Sequence, residues 1–166
     1  MKRTPCPDLA DFDAALRRWS DTVWRLVCCR MRAKHDAEDA FQNTFLALCR
    51  AHPRFASLEH QKAWLLRTAC NCCNQMMRAR RAHPTDALDS VSAVETPAVD
   101  DHQELHEALA HLTDKQRTAV HLHYFEGYTT DEIARITGEK PATVRSHLYR
   151  ARQALRIELE REGARP

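Results

Sequence analysis

The chain has 166 residues, 43% of them hydrophobic, with three glycines and a net charge of only +2. This composition excludes a disordered chain and argues against a sheet protein built on tight glycine turns. The charge is sorted: residues 1–81 carry 15 Lys/Arg against 8 Asp/Glu, residues 82–103 carry five acids and no Lys or Arg, and residues 104–166 carry ten of each sign, which predicts two units and a connector, the first facing a polyanion.

Met1-Lys2-Arg3 is basic, but Pro5, Pro7, Asp8, Asp11 and Asp13 follow where a secretory signal needs an apolar stretch. No apolar run approaches the ~20 residues of a membrane span. The seven cysteines, Cys6, Cys28, Cys29, Cys49, Cys70, Cys72 and Cys73, are odd in number and include adjacent pairs, a poor disulfide framework. A soluble, cytoplasmic, reduced protein without membrane insertion is expected.

Apolar residues recur at helical spacing from Asp8 to Arg32 (Leu9, Phe12, Leu16, Trp19, Val23, Leu26, Val27), predicting an amphipathic helix. Asp36 reads as the N-cap of a second helix with Ala37, Ala40, Phe41, Phe45 and Leu48 on its buried stripe, ended by Pro53. Residues 53–61 read as a loop. A third helix is expected over 62–81, burying Ala63, Leu66, Ala69, Cys73 and Met76. Residues 82–103, with Pro84 and Pro97 and no strong periodicity, read as the linker. A short helix with Leu105, Ala108, Leu109 and Leu112 comes next. Thr113-Asp114-Lys115-Gln116 is a capping box that opens a helix with Ala119, Val120 and Tyr124, closed by Gly127. A short helix over 130–137 ends at Gly138, and a long one starts at Pro141 with Val144, Leu148, Ala151 and Leu155 facing inward. The fold class is all-α, two small helical domains (1–81 and 104–166) joined by an acidic linker (82–103).

A short helix, a glycine turn and a longer helix make a helix-turn-helix. The second helix holds five Lys/Arg and no acid from Lys140 to Arg156. With Val144, Leu148 and Ala151 turned inward, Arg145, Ser146, Tyr149, Arg150 and Arg152 face largely outward, where Arg can donate two hydrogen bonds to guanine and Ser or Arg can hold phosphates. On the second helix of the chain, Asp39, Gln42, Leu46 and Cys49, with Asn43 beside them, form an acidic-amide-apolar face suited to docking a protein. Around the 53–61 loop, Arg50, Arg54, Phe55, His60, Lys62 and Trp64 interleave basic and aromatic groups that can hold phosphates and stack unpaired bases. Cys70-Asn71-Cys72-Cys73 contains one C-x-x-C without a second ligand pair, so neither a metal nor a cofactor is expected. No phosphate-cradling glycine loop or nucleophile elbow points to an enzyme. A helix-turn-helix regulator that binds DNA alone, and a small redox- or metal-sensing protein, remain alternatives at this level.

The stretch from Leu112 to Tyr128, then Glu132-Ile-Ala and Ala142-Thr-Val-Arg-Ser-His-Leu-Tyr-Arg-Ala-Arg152, resembles region four of extracytoplasmic-function (ECF) sigma factors. Asp36-Ala-Glu-Asp-Ala-Phe-Gln-Asn-Thr-Phe-Leu46 resembles the polymerase-docking helix of region two, and Ala63-Trp-Leu-Leu-Arg-Thr-Ala-Cys-Asn71 the start of its promoter-opening helix. The resemblance implies a transcription initiation factor rather than an enzyme. It implies that Asp39, Gln42, Asn43, Phe45 and Leu46 meet the clamp of the largest subunit of core RNA polymerase, and that region four meets the flap of the second subunit. It assigns Arg54, Phe55, His60, Lys62, Arg67, Asn71 and Arg78 to the melted −10 element, with Arg80 and Arg81 also tracking phosphates. Thr143, Arg145, Ser146, His147, Tyr149, Arg150 and Arg152 fall to the −35 duplex. An anti-sigma factor is a further implied partner. The family usually shows an Asp four residues after Asn71; here Gln75 stands there, preceded by Asn74.

Overall fold

The structure, a computed structural model, describes residues 11–82 and 109–162, with the side chains of the last helix as far as Arg156. By internal contacts the chain divides into two units, Met1–Val94 and Glu95–Pro166. The linker expected over 82–103, beyond its first residue, and most of the helix expected near 104–112 lie outside the described residues.

The first unit is a three-helix bundle. Helix α1 (Phe12–Arg30) starts at Asp11, whose side chain accepts a hydrogen bond from the Asp13 amide at 3.0 Å. Helix α2 (Lys34–Ala51) enters three residues earlier than expected, with Ala33 at the cap position and no side-chain cap bond. Asp36 is therefore not the N-cap. It lies within the first turn, is 4% exposed, and pairs with Arg80 at 2.6 Å and His35 at 3.0 Å. At its far end, α2 stops where His52 turns left-handed before Pro53.

Helix α3 (Leu58–Ala82) also begins earlier than expected, and the loop is correspondingly shorter. Ser57 supplies the start: its hydroxyl accepts the His60 amide at 3.1 Å and its carbonyl the Gln61 amide at 3.1 Å. A serine cap ahead of Leu-Glu-His is a helix signal that the aromatic and basic residues around it mask. Inside, α3 buries Gln61, Leu65, Leu66, Ala69, Cys70 and Cys73 against Val23, Leu26 and Val27 of α1 and Ala37, Ala40, Phe45 and Leu48 of α2. An aromatic ladder joins α1 to α2: Phe12 meets Phe45 at 6.2 Å, Phe45 meets Phe41 at 5.0 Å, and Phe41 meets Trp24 edge-on at 5.8 Å.

Three polar ties fix the rotation of α3. The Trp19 indole N–H donates to the fully buried Gln61 carbonyl at 2.8 Å. Arg30, 6% exposed, donates to Asn74 Oδ1 at 2.6 Å and reaches Cys70 Sγ at 3.9 Å. Arg80 pairs with Asp36. Asn74, not Gln75, thus meets the buried cation; Gln75 is exposed.

In the second unit, α4 (Asp114–Val120) opens with the predicted capping box, Thr113 N–H to Gln116 Oε1 at 2.9 Å and Gln116 N–H to Thr113 Oγ1 at 3.4 Å. It then widens into one π-helical turn, His121–Phe125. The extra residue rotates the chain beyond it. Tyr124, grouped with Ala119 and Val120 in the helical pattern of the sequence, is 55% exposed, while Leu122 and Tyr128 are buried. A second capping box, Thr129 with Glu132, starts α5 (Thr130–Thr137). The backbone and hydroxyl of Thr129 hold the Glu132 carboxyl below its ordinary value, so this cap is complete above the usual carboxylate range and loosens as pH falls through the lowered value. Gly138, left-handed at φ 75°, ends α5, and α6 (Pro141–Glu162) begins three residues later. There, Val144, Leu148 and Ala151 are buried and Leu155 is half-buried.

Replacing Asn74 by Leu should strip a buried guanidinium of a close acceptor and cost about 1.5–3 kcal/mol of stability. Urea denaturation checks this; an unchanged midpoint would show that the Arg30–Asn74 bond does not hold the core.

Candidate functional site

On α6 the buried stripe leaves Thr143, Arg145, Tyr149, Arg150 and Arg152 exposed, with Tyr149 at 62%. Ser146 is half-buried. His147 is half-buried as well and faces the turn before the helix, its Nε2 3.5 Å from Glu139. The same carboxylate holds Lys115 at 2.8 Å, so Glu139 ties the start of α4 to the turn and to α6. Sequence reasoning missed Glu139, because nothing in its spacing announces a partner on another helix. Arg152 bonds back to the Leu148 carbonyl at 3.3 Å, which holds its stem along the helix.

On α3, His60, Arg67, Asn71 and Arg78 are exposed. At 100° per residue they fall within a stripe about 40° wide. Lys62 lies on the other side of the helix, its ammonium 5.8 Å from the Trp19 ring. Arg54 is exposed in the preceding loop. Phe55 departs from the expectation: it is 4% exposed, edge-on to His60 at 5.6 Å and to Trp64 at 5.9 Å. A ring enclosed in this way shapes the loop instead of offering a face to a base. His60 Nδ1 accepts the Ala56 amide at 3.2 Å, further fixing that loop. Arg80 is exposed and pairs through Nη2 with Asp36, and Arg81 is exposed.

On α2, Asp39, Gln42, Asn43 and Leu46 are exposed along one side, Leu46 at 46%. Phe45 points the other way, 4% exposed between Phe12 and Phe41, so it supports this face from behind.

The cysteines divide by depth. Burial pushes the Cys28 thiol up to about 11, and pushes Cys73 up to about 12 against the opposing charge of Arg30. Cys49 is exposed on α2. Among the described residues, no three His, Cys, Asp or Glu side chains gather as metal ligands.

Two family matches cover these units: Sigma-70 region 2 over residues 15–83, and Sigma-70, region 4 over residues 102–155. The ECF RNA polymerase sigma factor SigM of Mycobacterium tuberculosis is 34% identical over 146 residues, 87% of this chain and 74% of the relative. SigM of Bacillus subtilis, also an ECF RNA polymerase sigma factor, is 31% identical over 157 residues, 87% and 93% of the two chains. This chain belongs to the ECF sigma factors. Among solved structures, the sigma factor RpoE of Bartonella quintana, crystallised with the anti-sigma factor NepR, matches with a TM-score of 0.74 at 26% identity, over 90% of this chain and 97% of that one. The sigma factor is a regulatory DNA-recognition protein that directs promoter-specific transcription initiation, and it is not an enzyme. No helix among its described residues is long and apolar enough to cross a membrane.

At neutral pH a charged maleimide should label Cys49 of the sigma factor about tenfold or more faster than Cys28 or Cys73, whose thiols are buried and protonated. Peptide mapping after a brief pulse reads the order. Labelling of Cys73 ahead of Cys49 would contradict the burial of the α3 core face.

Proposed function

We propose that this sigma factor divides initiation over three surfaces. Residues 1–81 grip core RNA polymerase and hold melted −10 DNA, residues 104–166 read the −35 duplex, and residues 82–103 connect them. Asp39, Gln42, Asn43 and Leu46 meet the clamp of the largest subunit. The α3 stripe of His60, Arg67, Asn71 and Arg78, with Arg54, takes the unpaired strand by phosphate contacts and base capture, which offsets the few kcal/mol lost when a base leaves the stack. On α6, Arg145, Tyr149 and Arg150 face base edges, while Thr143, Ser146 and Arg152 hold phosphates. His147, turned to Glu139, sets the helix against its turn. The second unit also meets the flap of the second subunit. The protein works in the cytoplasm, where core polymerase and promoters are. An anti-sigma factor restrains it by covering one of these surfaces, as an anti-sigma factor accompanies RpoE of Bartonella quintana.

One observation carries this reading. Through Arg156, α6 buries Val144, Leu148 and Ala151 and leaves an outward side with four arginines and no acid, the shape and charge a major groove accepts. A regulator that binds DNA alone would show tight duplex binding without polymerase. Gel shifts with and without core enzyme, and then in vitro transcription from a random promoter library, separate the two.

Arg145→Ala should cost about 1–3 kcal/mol in promoter preference at the base pair it faces, with polymerase affinity intact. A fall in polymerase affinity instead would remove α6 from the DNA side. The double variant Asp39→Ala/Gln42→Ala should do the reverse, weakening polymerase binding about tenfold or more while leaving duplex preference unchanged. Competition for core polymerase against labelled wild-type protein measures it, and equal competition would end the docking assignment.

A further inference from the structure

The turn between α5 and α6 closes one helix and opens the next by backbone bonds alone. The amides of Gly138 and Glu139 both donate to the Ala134 carbonyl, at 2.9 and 3.1 Å, and those of Thr143 and Val144 both donate to the Lys140 carbonyl, at 2.9 and 3.1 Å. These bonds fix each helix end but leave the setting of α6 against the rest of the unit to its side chains. Val144, Leu148 and Ala151 hold it there by apolar burial, which tolerates small rotations. The Glu139 side chain does not. One of its oxygens meets Lys115 at 2.8 Å and the other lies 3.5 Å from His147 Nε2. Lys115 stands in the first turn of α4, a helix start already fixed by the Thr113–Gln116 capping box. The side chains of Glu139 and His147 are 18% and 16% exposed, so water competes little at the inner half of the bridge, while Lys115, at 66%, forms its outer half.

We infer that Glu139 is a positioning residue for promoter reading: by bridging Lys115 of α4 and His147 of α6 it sets the angle at which α6 meets the −35 duplex, and so governs base-pair discrimination without touching a base. The inference rests on the proposed reading of α6 as the −35 helix and adds to it what holds that helix in register. Two points favour this role over a direct contact. Both oxygens of the carboxylate are directed at partners within the unit, which leaves neither aimed at a cytosine amine, the group on DNA that a Glu accepts from. The outward residues Arg145, Tyr149 and Arg150 belong to one rigid helix with His147, so a small rotation of α6 moves all three, and two-bonded arginine contacts to guanine lose their geometry together.

The test uses the full-length protein with purified core polymerase and a promoter library randomised over the −35 element. Transcripts give a relative preference at each base pair, which does not depend on how much of the protein is active. Glu139→Ala should flatten these preferences about fivefold at several base pairs together. Glu139→Gln keeps the length and can bond both partners, and should recover at least half of the loss. Lys115→Ala should flatten the preferences more weakly, and should add nothing in the Glu139→Ala background, where the bridge is already gone. Melting temperatures are measured for each variant, and Arg145→Ala is run alongside. A lowered melting temperature with unchanged preferences would make Glu139 a structural residue only and overturn the inference. A change confined to one base pair, the mark of a direct contact, would do the same. So would tighter binding to every sequence alike, the mark of plain repulsion of phosphate. A Gln variant as flat as the Ala variant would show that charge acts and not the bridge, and an equal effect of Lys115→Ala with and without Glu139 would remove Lys115 from it; either sinks the proposal. If Arg145→Ala shifts the preferences while Glu139→Ala does not, the inference falls alone. If neither does, the −35 reading of α6 falls with it.

Discussion

A cation held inside a three-helix core is the constraint on which the first unit depends. Arg30 ends α1 but is almost entirely enclosed, with Asn74 and Cys70 of α3 at its guanidinium. Removing such a group from water costs several kcal/mol unless its donors are met. Apolar burial is indifferent to small rotations of one helix against another. Hydrogen bonds to a buried charge are not, and only one rotation of α3 brings Asn74 to Arg30 while Gln61 meets Trp19 at the other end. That rotation turns Leu65, Leu66, Ala69 and Cys73 inward. By helical period alone it then turns His60, Arg67, Asn71 and Arg78 outward. The stripe proposed to meet nucleic acid is in this sense the reverse side of a polar lock.

The second unit reaches the same result by other means. Its core is small, and orientation of α6 rests on Val144, Leu148 and Ala151 together with the Glu139 carboxylate, which spans Lys115 and His147. Gly138 makes the tight turn possible by adopting a conformation that costs other residues energy. Two capping boxes set the starts of α4 and α5, so the lengths of the short elements are determined locally. The π-helical turn between them is where local rules give way: one extra residue lets Tyr128 return to the core and puts Tyr124 and Phe125 outside.

These differences mark what could be read in the chain and what could not. Elements with a strong period and a cap were legible: α1, the box at Thr113, the Gly138 stop, the Pro141 start and the inward stripe of α6. Three features needed the third dimension. Asp36 has the chemistry of a cap, but Arg80, which draws it inward, is 44 positions along the chain. Phe55 and Phe45 carry the right residue type for recognition, yet in a small bundle a phenylalanine is worth more buried, and neighbours from other helices enclose both. Lys62 turns instead to the Trp19 ring of α1, a neighbour on another helix that its own segment does not announce. The exposed polar sites were more legible than the aromatic ones because exposure needs no partner.

Charge placement explains how so small a chain can address a protein and a polyanion without confusing them. Under the proposed assignment, the surfaces for DNA, on α3 and α6, expose Arg, His, Thr, Tyr and Asn and carry no acid among the residues assigned. The surface for polymerase, on α2, presents Asp39 beside two amides and adjoins the exposed Glu38. Carboxylates there add an attraction that salt screens, and they also make phosphate a poor occupant, since exclusion of the wrong partner needs only a modest unfavourable energy. Neutralising those acids would therefore do more than weaken a contact: it would open an otherwise forbidden face of a basic domain to nonspecific DNA. Placing acids on the docking side and arginines on the DNA side thus makes the sign of the charge, more than the fit of any single side chain, the first discriminator between the two partners.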